Sequence, residues 1–293
     1  MTKIFYQEYP DSYDFLAFFP SFLPKQDLIG SLGAHFDVQN QIRGICKLIV
    51  NPNPVFWGSS KLKGGHQYPY DNQGYKSWVD NPSLGSRVLL EETAHQWLVK
   101  IGKGGWLPPP GNLPGINRSC IDTQLPLLSE DRGHWSNGLQ TPNGSVGAMR
   151  EAVPWVDEGN GVFTFDSSLY DQPRKFHPFD LYIMGLVAPS EVTGDSLLLT
   201  DISDASGGQG SPYEMRVNAQ SRRININDII DIAGEPRSPN VSNSQKDFTM
   251  AFVILKKPGQ EVSPVLIQAI NSAAQHFPAQ WAFATDNRST MNK

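Results

Sequence analysis

Ser86-Arg87-Val88-Leu89-Leu90-Glu91-Glu92-Thr93-Ala94-His95-Gln96-Trp97-Leu98-Val99-Lys100-Ile101 is the stretch on which the fold turns. It holds neither Gly nor Pro, in a chain that those residues interrupt at 26 and 23 of its 293 positions. Its apolar members, Val88, Leu89, Leu90, Ala94, Trp97, Leu98, Val99 and Ile101, surround most of a helical wheel, which predicts a buried helix over 86–101. Ser83 or Ser86 can cap its start, and Gly102, with Gly104 and Gly105 behind it, can stop it. Glu91, Glu92 and His95 are then the anomaly, because polar groups on a buried helix need partners.

Residues four apart on a helix project from one face with Cβ atoms about 6 Å apart, so Glu91 and His95 can reach one metal ion, with Glu92 pointing aside. His-Glu-x-x-His uses this geometry: two His ligands bind zinc, and the Glu between them is the general base. Here the first ligand position is Glu91 rather than His. The structural alternative is a buried carboxylate paired with a neighbour such as Arg87.

Composition bounds the reading. At 39% hydrophobic, 293 residues can build a core without staples. A balance of 24 Lys+Arg against 29 Asp+Glu, with no run of five like charges, argues against a nucleic-acid partner. The most apolar windows, Phe15 to Leu23 and Met250 to Leu255, are too short to span a membrane. Cys46 and Cys120 lack the paired spacing of a structural zinc site, and their spacing leaves open whether they are bridged. Met1 to Tyr6 carries no apolar leader, so no signal peptide is expected in this chain.

Along the chain, Tyr13 to Phe19 and Ile42 to Val50 read as strands, the second more clearly, and residues 51–78 as a long loop region. Phe163 to Phe165 and Phe248 to Leu255 read as further strands, and Val262 to Phe277 as an amphipathic helix. With no repeat and no clear linker, the expectation is one domain, 1–293, with subdomains of about 1–105 and 106–293 either side of a cleft. The fold class expected is α+β: a small mixed or antiparallel sheet, a central buried helix and a loop-rich C-terminal half.

Further motifs join the helix: Tyr13-Asp14-Phe15-Leu16, Gly133-His134-Trp135-Ser136, Ser145-Val146 with Met149, and Phe179-Asp180-Leu181-Tyr182-Ile183-Met184-Gly185-Leu186 followed by Pro189-Ser190-Glu191-Val192. Gly234-Glu235-Pro236-Arg237-Ser238-Pro239 and Trp281 to Arg288 continue the series. In order and spacing the set resembles a largely uncharacterised family of bacterial, mostly secreted, zincin-like metallopeptidases, across nearly the whole chain. The resemblance implies a zincin-like fold and a metal-dependent hydrolase, extracytoplasmic, acting on peptide or another polymer. Position by position it matches His95 to the second metal ligand and Glu92 to the general base. It suggests His134 as the third ligand, with Asp180, Tyr182 and Met184 beneath the metal and Tyr182 a donor to a developing oxyanion.

Glu91, His95 and His134 would supply two imidazoles and one carboxylate, the donor set of His₂Glu zinc sites; zinc is expected, with manganese or iron as alternatives. The departure at Glu91 also admits a catalytically inactive zincin-like binding domain. A glycoside-acting enzyme is a weaker reading, because adjacent Glu91 and Glu92 diverge by about 100° and cannot flank one glycosidic bond. His177 can be a substitute ligand or a turn cap, whereas His35, His66 and His276 read as structural. The aromatics Trp57, Tyr68, Tyr70, Tyr75, Trp78 and Trp106 fit either a binding groove or packing over a core. Pro108-Pro109-Pro110 reads as a rigid loop or a partner edge. No Gly-x-Ser-x-Gly elbow, phosphate loop or dinucleotide fingerprint is present in the sequence.

Overall fold

The computed structural model describes residues 1–22, 33–68, 72–98, 125, 127, 134–141, 147–149, 153–166, 168–169, 172–204 and 214–293. Its helices are α1 (Thr2–Glu8), α2 (Pro54–Trp57), α3 (Asn72–Asp80), α4 (Pro82–Ala94), α5 (Pro178–Met184), α6 (Ile226–Ala233) and α7 (Pro264–Ala284). Its strands are β1 (Phe15–Pro20), β2 (Ala34–Asp37), β3 (Gly64–Gln67), β4 (Val156–Gly159), β5 (Val162–Asp166), β6 (Ser196–Asp204), β7 (Glu214–Ile224), β8 (Asp247–Leu255) and β9 (Thr290–Asn292). Among the described residues these make a mixed α+β protein with two sheets. Two compact units emerge: Met1–Gln41 with Ile49–Gln96 and Gln245–Lys293, and Ile42–Leu48 with Trp97–Ser244.

In the first unit β1 is the centre of a five-stranded sheet of order β2-β3-β1-β8-β9. It pairs in parallel with β3 and β8, β9 runs parallel to β8, and β2 is antiparallel at the edge. All six residues of β1 are buried, the continuous apolar run of a strand covered on both faces. Leu16 and Phe18 pack with Val38 and Leu62 under Phe5, Tyr6 and Trp57. On the other face Phe15 meets Phe248 at 5.9 Å, and Phe19 stacks on Tyr68 at 4.6 Å and stands edge-on to Trp78. Helix α7 packs on α3 and α4 and brings Trp281 against Phe248.

Asp14, which is buried just before β1, ties the N-terminal and C-terminal parts of this sheet. Its carboxylate accepts from Thr249 N at 2.9 Å, Gln245 Nε2 at 2.9 Å and Thr249 Oγ1 at 3.1 Å. Asp14→Ala strands those donors in a buried place and is expected to lower stability by about 2–4 kcal/mol, read as a shifted denaturation midpoint at constant slope.

Helix α4 is the sequence's central helix with shifted ends. Pro82 occupies its first turn and Asn81 its N-cap, so Ser83 lies inside rather than capping, its hydroxyl donating to Asn81 Oδ1 at 2.6 Å. The helix closes at Ala94 with His95 as C-cap, well before residue 101, because Gln96 N turns to Thr93 O at 3.1 Å, a tightened three-residue turn. Leu90 and Leu89 are fully buried, as the surrounding apolar pattern requires.

Two other expectations are corrected. Ile42 to Val50 forms no strand: Gly44 and Cys46 take positive φ of 70° and 60°, and the segment carries only isolated bridges, among them Asn40 to Val50 and Arg43 to Ser238. Cys46 is disulfide-bonded, and the chain's other cysteine, Cys120, lies outside the described residues. The 51–78 segment is structured too, carrying α2, β3 and most of α3. Strand β3 hides in Gly64-Gly65 because the rings of His35 and Phe36 on β2 lie against those glycines, leaving no room for a Cβ.

The second unit is built on an antiparallel sheet of order β4-β5-β7-β6. Strands β4 and β5 turn through Gly159, Asn160 and Gly161, all at positive φ. Phe163 and Phe165 enter a core with Trp155, Val153, Leu197, Leu199 and Val217. No described helix is long and apolar enough to cross a membrane.

Candidate metal centre

Glu91 and His95 owe their relation to α4 itself. His95 N donates to Glu91 O at 3.2 Å, the four-residue bond of an α-helical turn, which stacks the two side chains on one face. Both are half-buried, while Glu92 between them is buried. One ligand atom each from Glu91, His95 and His134 lies within 4.8 Å of the others, so this group can hold a metal ion. Two imidazoles and a carboxylate suit first-row divalent ions bound at about 2.0–2.2 Å, so the donor chemistry fits.

Glu92 lies against the backbone that leads into β2. A methyl group at Gly33 would come within 2.6 Å of its Oε1 and 2.8 Å of its Cδ, so the missing side chain at Gly33 makes room for this carboxylate. Tyr68 is fully buried, and its hydroxyl is held well above the usual tyrosine range by burial and then by the negative charge of Glu92.

His134 is followed by Trp135, which is completely buried and donates from Nε1 to Asp180 Oδ1 at 2.5 Å. The other carboxylate oxygen of Asp180 accepts from His177 N at 2.8 Å, and His177 Nδ1 accepts from Phe179 N at 3.0 Å, a reciprocal capping box at the start of α5. His177 Nε2 also meets Gln140 O and Ser196 Oγ, each at 3.1 Å. Thus His177 is a helix cap, and Asp180 anchors the tryptophan next to His134. Burial pushes the Asp180 carboxyl up to about 7, against the pull of its Trp135 and His177 donors. It drives the His177 imidazole down to about 3.

Tyr182 is buried on the same helix, where its hydroxyl accepts from Arg237 N at 2.8 Å. The Arg237 guanidinium in turn donates to Ile183 O at 2.6 Å and Met184 O at 3.1 Å, sealing the end of α5. Here Tyr182 and Met184 serve the packing of α5. Tyr68, Tyr75 and Trp78 are core residues around Phe19 rather than a groove lining; Trp57 packs beneath the sheet, and Tyr70, Trp106, Ser145, Val146 and the Pro108 to Pro110 run lie outside the described residues.

His35 and His66, which read as structural in the sequence, are brought together by the sheet. Antiparallel register sets His35 on β2 directly opposite His66 on β3, their Nδ1 atoms 3.2 Å apart. Asp37, two residues on and hence on the same face, approaches His35 Nε2 at 3.3 Å. His66 Nε2 faces Thr93 Oγ1 on α4 at 3.5 Å. The only signal in the sequence was the His-x-Asp spacing of β2, mute without knowledge of its partner strand.

No family model, no curated protein and no solved structure matches this chain.

Proposed function

We propose that the chain is a metal-dependent hydrolase of the zincin type, with Glu91, His95 and His134 holding a divalent ion, Glu92 acting as general base, and peptide bonds as the substrate. The observation that supports this best is the convergence of three ligand atoms within 4.8 Å. Helical spacing alone joins two of them, and the third comes from a motif 39 residues further on. Zinc is the ion this donor set favours, with manganese and iron as alternatives.

A bound divalent ion supplies Lewis-acid polarisation of a carbonyl and lowers the pKa of water at the site. Glu92 takes the proton of the attacking water and returns it to the leaving amine, a role open to a carboxylate offset from the ligand pair by about a third of a helical turn. Its burial keeps competing bulk water away. Glu91, as a carboxylate ligand, adds a negative charge that a histidine in its place would not, and Trp135, held by Asp180, fixes the backbone that presents His134.

Metal content measured by plasma mass spectrometry, on protein purified without chelator or affinity nickel, tests the reading. About one equivalent is expected in the natural chain and a large loss in His95→Ala, Glu91→Ala and His134→Ala alike. Absence of metal after incubation with zinc, manganese and iron would overturn it and favour an inactive scaffold that works by binding.

A further inference from the structure

We propose that Asn160 is a modification site: its side-chain amide is lost spontaneously through attack by the backbone nitrogen of Gly161, and the product reshapes the β4 edge of the second sheet. The proposal stands apart from the metal centre and from the hydrolase reading.

Three Asn-Gly steps occur in the sequence. Asn143-Gly144 lies outside the described residues, and the other two are held in opposite ways. Asn160 and Gly161 are the two central residues of the turn that joins β4 to β5, at φ of 56° and 76°, and both are exposed. Gly161 O accepts from Ala219 N at 2.9 Å, but among the described residues nothing accepts from Gly161 N and nothing bonds the Asn160 amide. A methyl group on Gly159 would meet nothing within 4 Å, so the space beside the turn is open. Glycine on either side lets the Asn160 backbone rotate toward the attacking geometry, and no side chain on Gly161 shields the nitrogen.

Asn137-Gly138 has none of this freedom. Asn137 O accepts from Trp155 Nε1 at 2.7 Å, Gly138 N donates to Ser136 Oγ at 3.1 Å, and Gly138 O accepts from Leu199 N at 2.8 Å. Gly138 is buried, with Leu199 O only 2.3 Å from where a Cβ would stand. The nitrogen that would attack is engaged, and the peptide on either side of it is pinned.

Water is the only co-reactant. Gly161 N gives up its proton and attacks Asn160 Cγ; the new N–Cγ bond replaces the Cγ–Nδ2 bond, and Nδ2 leaves as ammonia. The succinimide ring then takes up one water. Opening at the side-chain carbonyl gives Asp, and opening at the main-chain carbonyl gives isoaspartate, joined to Gly161 through its side chain. Nothing is oxidised or reduced.

Either product acts on an exposed edge, because β4 is the outermost strand of its sheet and all four of its residues are exposed. Asp adds a negative charge next to a strand that already carries Asp157 and Glu158, the latter 3.1 Å from Arg216. Isoaspartate adds a methylene to the main chain of a two-residue turn, which then no longer matches the Gly159 to Val162 pairing. Strand β4 detaches, while β5 stays held by β7 from Val162 to Asp166.

Peptide mass mapping of the full chain after incubation in mildly alkaline buffer, folded or unfolded in urea, tests the assignment. In the folded chain Asn160 is expected to convert at least about tenfold faster than Asn137, which reacts only in locally opened molecules. In urea the two rates should approach each other. Asn160→Asp should reproduce the acidic shift on isoelectric focusing and keep β4 in place, whereas the isoaspartate fraction should show new protease cleavage there. An Asn160 that survives incubation of the folded chain yet converts in urea overturns the proposal, as does an Asn137 that converts as fast as Asn160 in the folded chain. An isoaspartate fraction as resistant to protease as the natural chain overturns the effect on β4. Neither metal content nor hydrolysis of peptides enters these readouts.

Discussion

Replacing Glu92 by glutamine is expected to leave metal content unchanged and to lower peptide hydrolysis by roughly 10²–10⁴-fold. The two side chains are nearly the same size, so glutamine fits the space that Gly33 leaves beside Oε1, where any methyl on Gly33 would intrude. What changes is the ability to accept a proton from water. The ligand atoms of Glu91, His95 and His134 are untouched, so mass spectrometry and turnover of a mixed peptide library should part company in this variant and fall together in His95→Ala. Undiminished cleavage in Glu92→Gln would remove Glu92 from the reaction; loss of metal would instead make it a ligand or a structural support. The pattern expected is a fall in kcat with KM near its original value, since an interaction made only in the transition state is the one removed.

How much of this arrangement the sequence discloses follows from which links are local. Glu91 and His95 sit four apart on an apolar helix, and their shared face follows from backbone geometry alone, even though both ends of that helix fall elsewhere than expected. Strand β1 is equally legible, because a central parallel strand announces itself as an unbroken apolar run. His35 and His66 are the opposite case: they meet through β2–β3 pairing, and β3 is a Gly-Gly-His-Gln segment with none of the residues that favour strands. Strand β8 lies more than 230 residues beyond β1 yet pairs with it throughout, so a division of the chain near residue 105 could not foresee the C-terminal return. Ile42 to Val50 departs from a strand for a local reason: its composition is apolar, but the positive φ at Gly44 and Cys46 ends the extended path. The Trp135–Asp180 bond explains why two distant motifs, Gly133 to Ser136 and Phe179 to Leu186, belong together: one presents His134 and the other holds its neighbour.

The capping box of α5 is expected to produce opposite pH slopes when either half is replaced. Asp180 is raised in the folded state from 3.8 to about 7, so its contribution is fully present below about pH 4 and is lost as pH rises through 7. His177 is depressed from 6.5 to about 3, so its contribution is present above about pH 6.5 and is lost as pH falls through 3. Each span of roughly three pH units corresponds to something on the order of 4 kcal/mol. Between about pH 4 and 6.5 the two gradients nearly cancel, because the folded chain holds the proton of Asp180 while the unfolded chain takes one up at His177. In His177→Asn, which keeps a side chain able to cap Phe179 N, the Asp180 term stands alone and stability should decline as pH rises from about 4 to 7. In Asp180→Asn, whose amide oxygen can still accept from Trp135 Nε1, the His177 term stands alone and stability should decline as pH falls from about 6.5 to 3. Urea denaturation of the natural chain and both variants across that range reads the two slopes; subtracting the natural chain leaves the deleted residue's own term with its sign reversed, which runs the same way as the remaining term between about pH 4 and 6.5. Parallel slopes in the two variants would mean that the pair does not titrate as its burial dictates, and that Asp180 is already ionised where it holds Trp135.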